Sequence, residues 1–488
     1  MKRLILLCIL LATVLSPQAQ NMKAFISHKA YCTHHMQPYI EFSFIIGGNS
    51  VRYAINEEGS YAAAVEILVD IMQQDSVLQS LHYILSSDYF TDSLRIGKPD
   101  FANINVIPVN NGDYELHFML KDLNQDSMEL RYIDLIQVNF PKDQISSSRL
   151  SLYASISGAE PNDLFAKYGF NLPPLFNSFV PEDQYTLPFA VEVYNTKTVL
   201  GEDQELTAKC YVEYAENKLV AQPSNIITKK LKTKDIVLII DQYNTFMLPS
   251  GNYNAVVELY DTANNMVWFN KVFFQKSNPN IHFDINRYND VVIDNSFVSK
   301  MTNREELEEA VLCLYPIATH LEKEFFETRI KKVSTEQLQR YLYSFWLSRN
   351  PNNPEAEWLK YKKMVDIVQD RFGSLQVKGY RTDRGRVYLQ YGQPNDILEV
   401  PSDPVTLPYE IWHYYYLDNQ TNVKFIFYDP ALVGNDYELL HSNKYGELHD
   451  TNWKMRLVRK IQPQTDIYDP NPDEYFGGDL DGNWRYHW

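Results

Sequence analysis

Residues 379–397 hold the densest set of chemically capable side chains in the chain: Gly379-Tyr-Arg-Thr-Asp-Arg-Gly-Arg-Val-Tyr-Leu-Gln-Tyr-Gly-Gln-Pro-Asn-Asp-Ile397. Asp383 stands between Thr382 and two cations, Arg384 and Arg386. Two chemistries fit that order. In the first, Thr382 or Asp383 closes a turn on nearby backbone N–H groups, Gly385 supplies a flexible position, and an arginine pairs with Asp383. In the second, Arg384 and Arg386 read an anion or carboxylate through their planar forks of donors. A catalytic Asp383 is disfavoured, since no nucleophile or histidine stands at a telling spacing. Gly392-Gln-Pro394 lacks the several glycines of a phosphate-cradling loop and reads as a turn that ends a strand at Tyr391.

Other clusters carry less. Cys32-Thr-His34-His35 has the residue types of a metal site, but no second ligand pair follows at zinc spacing. Asp479-Leu-Asp481-Gly482-Asn483 hints at a calcium loop, yet the glycine falls too early and no glutamate follows. Trp484, Tyr486 and Trp488 are three aromatics in a polar tail that cannot build a core of their own, so they are candidates for docking onto a partner. The sequence shows no nucleophile-elbow, zincin, P-loop or dinucleotide-binding motif. The expectation is therefore no metal, no cofactor and no identifiable catalytic residue.

The elements that position these residues follow from periodicity. From residue 22 to about 285 the apolar period is mostly two, with strands such as Tyr39–Ile46, Ala62–Ile71 and Tyr114–Leu120 separated by Gly, Asn and Asp turns. A second series runs through Phe189–Tyr194, Leu206–Tyr214, Ile236–Ile240, Asn254–Tyr260 and Val267–Phe274. Gly112-Asp-Tyr and Gly251-Asn-Tyr both open strands, which hints at a diverged repeat. The period turns helical near 300: Asn303 precedes an acidic turn, Ser334 or Thr335 caps a second helix with Gln337 or Gln339 as the reciprocal partner, and Glu355–Phe372 forms a third. Period two returns at Gly385, with strands over Arg386–Tyr391, Ile411–Tyr416, Val423–Tyr428 and Tyr437–His441; short connections favour an antiparallel meander.

The resulting layout is multidomain. Residues 1–20 read as a signal peptide, from Lys2, Arg3 and the apolar run Leu4–Leu15. An antiparallel β-sandwich spans 21–158 and an immunoglobulin-like β-sandwich 159–285. A helical segment follows at 298–372, an α+β unit at 373–460 and the aromatic tail at 461–488. A chain of 488 residues calls for several cores. Its formal net charge of −17 argues against nucleic acid and anionic membrane surfaces as partners. Beyond the leader, Cys32, Cys210 and Cys313 are widely separated, an odd count that means at least one free thiol or an intermolecular bond; Cys210 and Cys313 are expected to be buried, inert thiols.

The stretch Gly379-Tyr380-Arg-Thr382-Asp383 resembles the GWxTD domain family of exported bacterial proteins, with Tyr380 in place of the family's tryptophan. Phe345-Trp346 before Arg349-Asn-Pro351, and the aromatic strands Tyr409–Trp412, Phe425–Asp429 and Tyr437–Ser442, are similar to the family's flanking elements. The resemblance covers roughly residues 335–445, and the preceding sandwiches suit the layout of its Bacteroidota members. It implies an exported, multidomain envelope protein, expected in the periplasm, at the outer membrane or at the surface; no stretch beyond the leader holds 18 uninterrupted apolar residues, so no transmembrane segment is expected after cleavage. It carries no established activity, so no catalytic role transfers to Gly379, Tyr380, Thr382, Asp383, Arg384, Gly385, Arg386, Tyr391, Gly392 or Pro394. The expected function is a non-catalytic scaffold or partner-docking module acting through the C-terminal domain, with a protein partner in the envelope. The alternative is a glycan-binding protein or hydrolase with an unrecognised site.

Overall fold

The computed structural model describes residues 22–458 apart from 56–57, 75, 92–97, 126–128, 162, 404–405, 419, 433–435 and 451–452. The expected leader, the Asp479–Asn483 stretch and the tail aromatics Trp484, Tyr486 and Trp488 lie outside the described residues.

The first unit is built from β1 (Ala24–Cys32), β2 (Pro38–Ile46), β3 (Ala64–Gln73), β4 (Ser76–Ser86), β5 (Phe101–Pro108), β6 (Gly112–Asp122) and β7 (Glu129–Val138). They form two antiparallel sheets, β1-β2-β5 and β4-β3-β6-β7. Alternation in the sequence explains the core. Ile40, Phe42, Phe44 and Ile46 of β2 bury against Val65, Ile67, Val69 and Ile71 of β3 and Leu116, Phe118 and Leu120 of β6. Successive strand residues point to opposite faces, so one face of each strand is dry.

The second unit contains β8 (Thr186–Tyr194), a short helix α1 (Thr196–Leu200), β9 (Glu205–Tyr214), β10 (Ile227–Lys232), β11 (Ile236–Asn244), β12 (Gly251–Tyr260) and β13 (Met266–Lys276). One sheet orders Phe179–Val180, β13, β12, β9 and β10; the other sets β8 against β11, with Ser146–Ser147 and Ser151–Leu152 along its other edge. Pairing with β8 thus begins at Ser146, ahead of residue 159. Both sheets share a core that includes Phe189, Val191, Cys210, Ala255 and Phe274. Tyr114 and Tyr253 use the same device at the start of β6 and β12: each hydroxyl donates to the carbonyl four residues upstream, of Asn110 and Pro249, at 2.9 Å.

Helices follow: α2 (Arg304–Leu312), α3 (His320–Thr328), α4 (Thr335–Leu347) and α5 (Pro354–Phe372). Caps fix their starts. Asn303 accepts from the Glu305 N–H, Thr319 and Glu322 form a capping box, and so do Ser334 and Gln337. Pro316 sits in a 3₁₀ turn that divides the first helical run. The apolar stripe of α5, Trp358, Tyr361, Val365, Val368 and Phe372, is buried as its spacing requires.

The expectation fails at Arg386–Tyr391, which is not a strand but helix α6 (Asp383–Tyr391). Thr382 caps it, and Gly392, at φ +85°, ends it by donating its N–H to the Tyr388 carbonyl. Gly392-Gln-Pro394 therefore closes a helix rather than a strand. The antiparallel meander then runs as β14 (Asp396–Val400), β15 (Tyr409–Leu417), β16 (Gln420–Tyr428) and β17 (Glu438–Ser442), in that order. One face packs Trp412, Phe425 and Phe427 against the helices. The other carries Tyr409, Ile411 and Ile426 under the short helix α7 (Trp453–Leu457).

Candidate functional site

The motif residues converge on α6, and each is used inside the fold. The Thr382 hydroxyl accepts from the Gly385 N–H at 3.1 Å and donates to the Gly379 carbonyl at 2.8 Å. A Cβ on Gly385 would lie 1.9 Å from the Gly379 oxygen, and one on Gly379 would lie 2.4 Å from the Val368 oxygen. Gly385 is therefore demanded by close backbone contact, not by flexibility. Tyr380 is buried in the helical core. The Asp383 carboxylate accepts from the Leu439 N–H at 2.7 Å, tying α6 to β17.

Neither arginine pairs with Asp383 as the sequence suggested. Arg384 donates to Glu410 of β15 at 2.6 Å, and Glu410 also accepts from the Trp412 indole at 2.9 Å. The Arg384 guanidinium lies beside the rings of Phe372 and Tyr437, 5.0 and 4.2 Å from their centroids. Arg386 forms a two-pronged pair with Glu447 at 2.8 and 2.7 Å, and the Tyr391 hydroxyl donates to the same carboxylate at 2.7 Å. The Tyr414 hydroxyl holds the Gly392 carbonyl at 2.8 Å, and Pro394 is buried. Both guanidinium groups thus face internal carboxylates rather than a site open to an anion.

The other sequence candidates separate. His34 and His35 lie in the exposed turn between β1 and β2, while Cys32 is buried. Among the described residues no group of three or more His, Cys, Asp or Glu is placed to hold a metal ion. Burial pushes the Cys32 and Cys210 thiols up to about 11 and about 12, and the Cys313 thiol is also raised, which suits inert side chains.

A different feature stands where the second β unit meets the helices. A cleft of about 570 Å³ is lined by the end of β9, the start of β12, residues 281–288, the first turn of α3 and the end of α4. Glu216 is 8% exposed. Its Oε1 accepts from the Asn252 amide at 3.3 Å, whereas its buried Oε2 has no hydrogen-bond partner. Burial raises its carboxyl above the ordinary value despite the opposing charge of Lys323. The Ser344 hydroxyl, on the α4 side of the cleft, is likewise buried without a partner.

Two guanidinium groups line the same space. Arg349 donates to the carbonyls of Phe345 and Ile317 at 2.8 and 3.4 Å and covers the Phe345 ring at 3.4 Å from its centroid. Burial lowers its guanidinium below the ordinary value, against the pull of Glu322. Arg287 donates to the Tyr288 hydroxyl and lies over Phe283. Glu322 is fully engaged: its carboxylate takes the Thr319 N–H and hydroxyl at 2.8 and 2.9 Å and the Tyr341 hydroxyl at 3.0 Å. Sequence reasoning did not find this cleft. Arg349 was visible only as a helix end before a proline, and Glu216 carries no local signal, because the partners of both come from other elements.

Residues 286–456 match the family model of the GWxTD domain. The match begins upstream of 335, so the helices α2 and α3 belong to it as well. No curated protein matches the chain. Among solved structures, the crystal structure of red sea bream transglutaminase is similar at 8% identity and a TM-score of 0.17, over 55% of this chain and 33% of that one. The chain thus spans about a third of that protein's length, and at such a score the likeness carries no argument.

Proposed function

We propose that this chain, which carries a GWxTD domain, is a non-catalytic scaffold of the bacterial cell envelope whose C-terminal domain is the end that meets a protein partner. The observation that carries this reading is the internal use of the motif. Thr382, Asp383, Arg384 and Arg386 are spent on a helix cap, a sheet backbone N–H and two carboxylates, so the motif builds a rigid body and leaves no reactive group free for substrate. Export is supported by the charged and apolar N-terminal run of the sequence. Among the described residues no helix is long and apolar enough to cross a membrane.

We read both β units as immunoglobulin-like sandwiches. The support is the pair of tyrosines, Tyr114 and Tyr253, that bond back four residues at a strand start, a corner device of that architecture. Such units serve as spacers, and exposed aromatics are available beyond them: Tyr415 and Tyr416, on opposite faces of β15, are 59% and 60% exposed. Exposed aromatics suit partner contact. A photo-reactive amino acid placed at Tyr416 in the full chain, expressed in its native envelope, tests the reading. A single covalent adduct to one envelope protein, missing when the probe replaces Val77 in the first unit, is the expected result. Recovery of uncross-linked chain alone would overturn it.

A further inference from the structure

The cleft between the second β unit and the helices joins groups of both signs. Glu216 presents a buried carboxylate oxygen without a partner, and Ser344 a buried hydroxyl without one. Arg287 and Arg349 hold guanidinium groups in the same lining. A buried, unpaired polar oxygen destabilises the fold unless something bonds it. Glu216 and Ser344 both line one space of about 570 Å³, a volume in the range of small-ligand pockets.

The occupant follows from what the lining accepts and refuses. Polyanions are refused, because Glu216 and Glu322 would repel them. Flat stacking of a sugar ring is refused as well. Arg349 covers the Phe345 ring, Arg287 lies over both Phe283 and Tyr288, and the Tyr214 ring packs on Tyr253 at 5.3 Å. What remains is a molecule carrying both charges: a cationic N–H donor for Glu216 and a carboxylate for the guanidinium groups, which bind carboxylates in a planar fork. We propose that this cleft binds a small zwitterion of the amino-acid or short-peptide class, its ammonium on Glu216 and its carboxylate on Arg287 and Arg349. This goes beyond the scaffold reading and does not depend on it, since a scaffold with an empty cleft and a ligand-binding protein without a docking partner are both possible outcomes.

Calorimetric titration of the purified full chain with L-alanyl-L-alanine, its N-acetyl derivative, its C-amide and maltose tests the assignment. The free dipeptide is expected to bind saturably, and acetylation or amidation is expected to weaken it at least about tenfold each. Glu216→Gln keeps the shape and the Asn252 contact; it should cost the free dipeptide about tenfold while leaving the N-acetyl form unchanged. The chemical series on the unmodified protein stands even if that variant folds poorly. No saturable heat from the free dipeptide up to about 10 mM, equal affinity for the blocked forms, or tighter binding of maltose would each overturn the proposal.

Discussion

Gly385 sits where its Cα faces the Gly379 carbonyl, and an added methyl group would meet that oxygen at 1.9 Å. The neighbouring backbone is itself pinned by the Gly379 N–H, which donates to Gln369 Oε1 at 2.8 Å, so the clash has little room to relax. Gly385→Ala should therefore destabilise the chain by about 3 kcal/mol, the upper part of the range for overpacking, measured by equilibrium urea unfolding. An unchanged midpoint would show that the turn can move. At this scale the residue types were legible and their partners were not. Thr382 announced a turn closed on a backbone N–H, and it takes the Gly385 N–H as the cap of α6. Arg384 and Arg386 announced charge pairs, but the carboxylates they meet, Glu410 and Glu447, lie 26 and 61 residues away in sequence. Nearest-neighbour reasoning assigned one of them to Asp383, whose carboxylate instead takes a backbone N–H of β17.

At the scale of elements, α6 is the instructive error. Arg386-Val-Tyr-Leu-Gln-Tyr391 alternates polar and apolar side chains and is rich in β-branched and aromatic types, which is what a strand looks like. The buried set Arg384, Val387 and Tyr388 follows helical spacing instead. A helix of nine residues is marginal on its own, so packing against α5 and β17, not local propensity, decides its form. Its start and stop fall at Thr382 and Gly392, which the sequence offered as a turn and as the end of a strand. Thr382→Ala should cost about 1 kcal/mol through the lost cap, read as a lower urea midpoint with an unchanged slope. A loss below about 0.3 kcal/mol would mean that the Gly379–Thr382 turn survives without the hydroxyl. The longer α5 and the meander were recoverable because their stripes are long, regular and locally capped.

At the scale of the whole molecule, buried polar ties join the units among the described residues. The Tyr194 hydroxyl accepts from the Cys32 N–H at 3.2 Å and donates to Glu192 at 2.7 Å between the first two units. Asp418, in the turn after β15, meets Lys218 at 2.7 Å, Lys271 at 3.3 Å and Lys444 at 3.4 Å, linking the second unit to the meander. Burial alone would push its carboxyl up; the hydrogen bond and charge of Lys218, with Lys271 and Lys444, hold it down at about 2. Because its folded value is depressed, this stabilisation is present above the ordinary value of 3.8 and is lost as pH falls toward about 2. Asp418→Asn, tolerable at φ +57°, should remove about 2 kcal/mol at pH 7 and almost nothing at pH 2. Equal effects at both pH values would show that the tie is not electrostatic. Such ties, like the cleft beside them, assemble residues from distant segments and leave no trace in any one stretch of sequence. The motif is architecture. Arg384 and Glu410 have side chains only 4% and 11% exposed, so Arg384→Met would strand a buried carboxylate. The direct measurement is urea unfolding of that variant alongside photo-cross-linking at Tyr416. A loss of about 3–5 kcal/mol is predicted, with the adduct retained wherever the variant is folded. Native stability with the adduct abolished would make Arg384 a partner-reading residue and contradict the account.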